Sequence, residues 1–68
     1  MDIRRQVGLN VQRLRKNRGW SQEDLAFACG LHRTYVSGVE RGIRNPTIVI
    51  LAKIAAALET SPDRLLRG

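Results

Sequence analysis

The stretch RTYVSGVER, residues 33–41, holds the side chains best suited to reading another molecule. Val36 and Val39 are its apolar positions at helical spacing, so they turn inward together. Arg33, Thr34, Tyr35, Ser37 and Gly38 are then left outside. Their chemistry is hydrogen bonding. An arginine can take O6 and N7 of a guanine together, and a threonine offers a hydroxyl to a base edge and a methyl to thymine. Gly38 has two readings: clearance that lets a helix sit deep in a groove, or an ordinary surface glycine. Tyr35 either touches a phosphate or sugar, or covers the core. Covalent chemistry has few candidates. One histidine, His32, and one cysteine, Cys29, make neither a nucleophile–base pair nor a four-ligand zinc site. No phosphate-cradling glycine loop occurs either. An enzyme is excluded on these grounds, and no metal or cofactor is expected.

A second set of residues suits phosphate contacts, which set register and carry no sequence information. Gln22 begins a helix, where free backbone N–H groups and the helix dipole favour an anion. Arg41, Arg44 and Asn45 follow the 33–41 stretch and would flank a groove. His32 precedes it, either as a phosphate contact or as an exposed, weakly capping imidazole. The plain alternative for each cation is a solvated face.

These residues need five helices to position them, and no strand signal is present. Ile3, Val7, Val11 and Leu14 share one face of a first helix over 2–18, with Arg5, Arg13 and Lys16 opposite. Gly8 weakens its interior by roughly 1 kcal/mol relative to alanine, and Gly19 stops it. Ser21 caps the second helix, and Asp24 stands at the capping-box position, shorter than the preferred Glu or Gln. Trp20 and Leu25 have the spacing of a hydrophobic staple, the alternative for Trp20 being base stacking. Phe27 is expected to pack against the start of the first helix, with a partner contact as the sharper reading. Gly30 turns the chain into the third helix, Arg33 to Arg41, which Gly42 ends. Ala26 is small enough to let the second and third helices approach closely. Thr47 caps the fourth helix after an Asn45-Pro46 turn, with Ile48, Leu51, Ile54, Ala55 and Leu58 on its core face. Ser61 and Pro62 open a short last helix with Leu65 and Leu66 on its apolar side.

At 68 residues the chain is expected to form one domain, 1–68. Twelve basic residues against six acids give +6, and a polyanionic partner follows. Residues 1–18 carry +5, 19–29 carry −2 and the remainder +3. A single cysteine precludes an internal disulfide and fits a reducing compartment. No apolar run reaches a membrane span and no signal-peptide pattern is seen. A cytoplasmic protein is expected. Three aromatic residues are too few for single-strand stacking platforms.

The sequence resembles the XRE-like helix-turn-helix family of Cro and the lambda-type repressors. The matching stretches are SQEDLA (21–26), ERG (40–42), RNPT (44–47) and LAKIAAAL (51–58), within a resemblance covering about residues 7–67. The small residue, glycine turn and two apolar positions between 22 and 41 have that motif's spacing. RTYVSGVERGIRNPT looks most like the controller proteins of restriction-modification systems. The resemblance implies an all-α, compact five-helix, lambda-repressor-like DNA-binding domain. It implies base reading by Arg33, Thr34, Ser37 and Gly38, and phosphate contacts by Gln22, Arg44 and Asn45. It also implies that Arg15 and Glu40 pair between the first and third helices, which discounts Arg15 as a DNA contact.

The function expected is a sequence-specific, double-stranded DNA-binding transcriptional regulator, with control of a restriction-modification operon implied by the resemblance. One domain reads few base pairs, so a homodimer on a palindrome is expected, its recognition helices about 34 Å apart. The outer side of the fourth helix (Val49, Ile50, Ala56, Ala57) with Leu65 and Leu66 is the candidate interface. The alternative is that the two leucines close the monomer core. No small-molecule effector or membrane partner is expected. The competing class is an antitoxin-like protein-interaction module, distinguished by selection of bound duplexes from a random pool.

Overall fold

Local signals fix where each helix starts and stops in the computed structural model, which describes residues 2–68. They are α1 (Ile3–Asn17), α2 (Gln22–Cys29), α3 (Arg33–Glu40), α4 (Ile48–Ala57) and α5 (Pro62–Leu66), with no strand among the described residues. Asp2, expected as the first residue of α1, is instead its cap, accepting from the Arg4 backbone N–H at 2.9 Å. The α2 capping box is complete despite the short aspartate. Asp24 N–H donates to Ser21 Oγ at 3.1 Å, and Ser21 N–H donates to Asp24 Oδ2 at 2.8 Å. Thr47 Oγ1 caps α4 by accepting from Ile50 N–H. Ser61 makes no side-chain cap bond, so α5 starts on the fixed φ of Pro62. Gly30 has φ 70°, a left-handed turn that returns Leu31 N–H to Ala26 O at 2.9 Å and starts α3 across α2.

The five helices bury one core. Val7 and Val11 come from α1, Leu25, Ala26 and Cys29 from α2, and Val36 and Val39 from α3. Leu51, Ile54, Ala55 and Leu58 come from the fourth helix and its cap, and Leu65 from α5. Five residues cannot hold a helix alone. Leu65, fully buried, and Asn10 together seat α5 on α1: Asn10 Nδ2 donates to Leu65 O at 2.9 Å and Arg67 O at 2.8 Å. These bonds satisfy carbonyls that the helix end leaves open. No sequence signal marks Asn10 for this role.

Gly8 has a use that propensity alone does not reveal. A Cβ there would lie 2.4 Å from Val39 O and 2.5 Å from Glu40 O, so the backbone of α1 rests directly on the end of α3. Four expectations fail on packing. Ile3, in the first turn of α1, is 53% exposed although it lines a small pocket with Val7, Leu51 and Leu66. Ile48, at the N-terminus of α4, is 82% exposed because the core begins one turn later at Leu51. Phe27 does not reach the start of α1 and is 90% exposed. Leu65 closes the core, so it has no surface to give an interface. No described helix is long and apolar enough to cross a membrane.

Candidate nucleic-acid interface

The exposed side of α3 is built by subtraction. Val36 and Val39 are fully buried, which leaves Arg33 and Thr34 exposed and Ser37 half-buried on the outer side. His32 occupies the cap position without a side-chain cap bond, and no acid lies in the first turn of α3. The first N–H groups of α3 thus keep their partial positive charge unspent. The start of α2 differs: Glu23 and Asp24 lie in its first turn and Asp24 closes the capping box. Anion attraction at α2 is correspondingly weaker than the helix end alone implies.

The α2–α3 pair is locked by a buried ionic cluster. Arg15 Nε donates to Glu40 Oε2 at 2.7 Å and Arg15 Nη2 to Glu40 Oε1 at 3.0 Å, with side chains 9% and 2% exposed. Arg15 Nη1 also donates to Trp20 O at 2.8 Å. The Glu40 hydrogen bonds hold the Arg15 guanidinium above its ordinary pKa. Arg15 is therefore an internal tie between α1 and α3. Gln22, half-buried, joins the same cluster through Nε2, which donates to Glu40 Oε1 at 3.1 Å. Its carbonyl oxygen and second amide hydrogen stay free for an outside partner. Sequence reasoning assigned Gln22 to a phosphate and Glu40 to Arg15 without joining the two.

The chain after α3 folds back over it. Gly42, φ 76°, reverses the backbone, and the N–H groups of Ile43 and Arg44 donate to Gly38 O at 2.9 and 3.2 Å. Arg44 then crosses Gly38, whose Cβ would stand 2.6 Å from Arg44 Cγ. Its guanidinium carbon lies 5.6 Å from the centroid of the Tyr35 ring. The ordinary-surface reading of Gly38 fails, because Gly38 is buried under Arg44. Tyr35 is half-buried against the core, so it both covers the interior and carries Arg44.

Arg41 and Asn45 are exposed beside this turn. Among the described residues Arg33, Arg41 and Arg44 form no ion pair, whereas Arg4, Arg15, Arg18 and Arg67 each meet a carboxylate. Arg33, Arg41 and Arg44 thus put unpaired positive charge around α3 and the turn behind it, as Arg5, Arg13, Lys16, Lys53 and Arg64 do elsewhere on the described chain. Trp20 packs against the core and Arg18 lies over its ring at 4.4 Å, which covers one stacking face. No three described His, Cys, Asp or Glu residues converge as a metal site.

A family model described as helix-turn-helix matches residues 11–65. Over 65 residues the chain is 48% identical to a protein of Neisseria meningitidis serogroup B named a hypothetical transcription factor, covering 96% of this chain and 61% of that protein. The chain thus spans less than two thirds of that relative's length. The crystal structure of the restriction-modification controller protein C.AhdI from Aeromonas hydrophila superposes with a TM-score of 0.88 at 47% identity, over 91% of this chain and 94% of that one. SinR, a master regulator for biofilm formation solved in complex with DNA, superposes with a TM-score of 0.85 at 35% identity, over 90% of this chain and 98% of that one.

Proposed function

The chain belongs to the helix-turn-helix family of transcriptional regulators, the Cro and lambda-repressor type, and from that premise we propose that it reads one specific double-stranded DNA site with the outer side of α3. The observation that carries the reading is the unpaired, exposed Arg33 beside Thr34 at the uncapped start of α3. A helix entering the major groove meets base edges with its N-terminal residues. Arg33 takes guanine O6 and N7, and Thr34 and Ser37 contact neighbouring edges. Gln22, His32, Tyr35, Arg41, Arg44 and Asn45 hold the sugar–phosphate backbone and set register. The likeness to C.AhdI supports a controller of a restriction-modification operon; we place that role in the cytoplasm, where its DNA would lie. The protein does no covalent chemistry in this role.

Two copies read a palindrome. The candidate interface is the outer side of α4, with Val49 64% exposed and Ala56 exposed, Ile50 and Ala57 half-buried, and Leu66 exposed on α5. The exposed Ile3 and Ile48 extend this apolar face in place of Leu65. A charge buried unpaired at its centre opposes association. Val49→Glu therefore gives a folded monomer with weak half-site binding. Sedimentation equilibrium with circular dichroism checks it, and wild-type association by this variant moves the interface elsewhere.

The base-reading assignment is tested with duplexes selected from a random pool. Arg33→Ala loses about 1–3 kcal/mol of binding on the selected site and relaxes one guanine per half-site. Gln22→Ala weakens selected and scrambled duplexes alike. Equal loss on both duplexes for Arg33→Ala removes its base-reading role.

A further inference from the structure

Arg44 is held by three separate contacts to one stripe of α3. Its backbone N–H donates to Gly38 O at 3.2 Å, its Cγ sits where a side chain at 38 would be, and its guanidinium lies 5.6 Å from the Tyr35 ring centroid. Residues three apart share a helix face, so Tyr35 and Gly38 form a continuous floor, one wall aromatic and the other absent. An arginine guanidinium over a tyrosine ring is favourable at this separation. Arg44 nevertheless remains exposed and, among the described residues, meets no carboxylate. A cation fixed in place but left without a counter-charge is an anion contact arranged in advance.

We propose that Gly38 and Tyr35 are positioning residues that seat Arg44 against the recognition helix, so that a DNA phosphate meets a guanidinium already in place. The inference rests on the reading of Arg44 as a backbone contact given above. It assigns Gly38 a purpose opposite to groove clearance: the space of the missing side chain is filled by this chain's own arginine. Ordering a long side chain during association costs affinity, and an arginine ordered beforehand avoids that cost. Glycine at 38 leaves the space that Arg44 Cγ fills, and a methyl group there would turn the arginine to another χ1 rotamer while both N–H bonds to Gly38 O persist.

The test is a double-mutant cycle on the full chain with Gly38→Ala, Arg44→Ala and the pair, titrated against the selected duplex and a scrambled one at several salt concentrations. Gly38→Ala weakens the wild-type complex about two- to tenfold, the loss expected when a rotamer-rich side chain has to be ordered on binding. In the Arg44→Ala background the same change alters Kd less than about twofold, because coupled residues are not additive. Arg44→Ala lowers the slope of log Kd against log salt by about one contact. Thermal melts separate these effects from folding, since alanine at 38 improves helix propensity and leaves the melting temperature level or higher. A readout without DNA is the ring-current shift of the Arg44 side-chain protons in the free protein. Gly38→Ala and Tyr35→Leu both remove it if the seat exists. Equal weakening by Gly38→Ala in both backgrounds overturns the proposal in favour of groove clearance. An Arg44 shift unmoved by either variant overturns the seat itself. If Arg44→Ala changes neither affinity nor salt slope while the ring-current shift is present, the backbone-contact reading has failed and the proposal falls with it.

Discussion

Replacing Gly8 by alanine sets two effects of opposite sign against each other. Alanine in the middle of α1 gains about 1 kcal/mol of helix propensity. The added methyl carbon would stand 2.4 Å from Val39 O, 2.5 Å from Glu40 O and 2.8 Å from Glu40 C. All three are backbone atoms, so no side-chain rotation relieves the overlap. Carbon–oxygen contact requires about 3.3 Å, so α1 must move away from the end of α3 by most of an ångström. Inserting a methylene into a packed site costs about 1–3 kcal/mol. The shift also draws Arg15, on α1, away from Glu40, on α3, weakening bonds of 2.7 and 3.0 Å in a buried ion pair. Steric and ionic losses together exceed the propensity gain, and Gly8→Ala destabilises by about 2 kcal/mol. A chain of 68 residues has about 3–10 kcal/mol in total, so the effect is large. Urea denaturation followed by circular dichroism measures it, with a parallel fall in melting temperature of about 10 °C. Equal or greater stability for Gly8→Ala refutes the packing argument and leaves Gly8 as an ordinary helix-weakening glycine.

Glu40→Ala strands a buried guanidinium and destabilises by about 3–5 kcal/mol, while Arg15→Ala/Glu40→Ala costs less than the two single changes together; additive thermal melts would mean the pair contributes no coupling. Glu59 holds a left-handed φ of 54° that disfavours a side chain, and its bond to Arg18 is solvent-exposed, so Glu59→Gly leaves stability level or up to about 1 kcal/mol higher. A lower urea midpoint for that variant would show the Arg18 contact to outweigh the backbone strain. Burial pushes the Cys29 thiol above its ordinary pKa, so the folded state keeps its proton where the unfolded chain loses it. Its contribution to stability is complete below the unfolded value near 8.5 and is lost as pH rises through the folded one. Cys29→Ser or Cys29→Ala should flatten the alkaline limb of a stability–pH curve, and an unchanged limb would assign that loss to other groups.

What the sequence determined by itself is whatever depends on neighbours within about four positions. Ser21, Asp24 and Thr47 cap helices, Gly30 and Gly42 turn the chain, and Val36 and Val39 face inward, because caps, turns and helix faces are set by spacing along one segment. The outward chemistry of Arg33 and Thr34 followed from the same spacing. Tertiary structure alone decided which apolar edge is covered. Ile3 and Ile48 lie in phase with the core faces of their helices, yet each sits in the first turn of its helix and stays exposed, as Phe27 does on α2. Leu65 and Leu66 are adjacent and chemically identical, and only the docking of α5 on α1 separates a core residue from a surface one. The two mid-helix glycines show the limit most directly. A glycine in a sequence announces an empty space, but what occupies it is a contact from elsewhere in the chain. At Gly8 the occupant is the backbone of Val39 and Glu40, some thirty positions away, and at Gly38 it is the side chain of Arg44, folded back by the turn at Gly42.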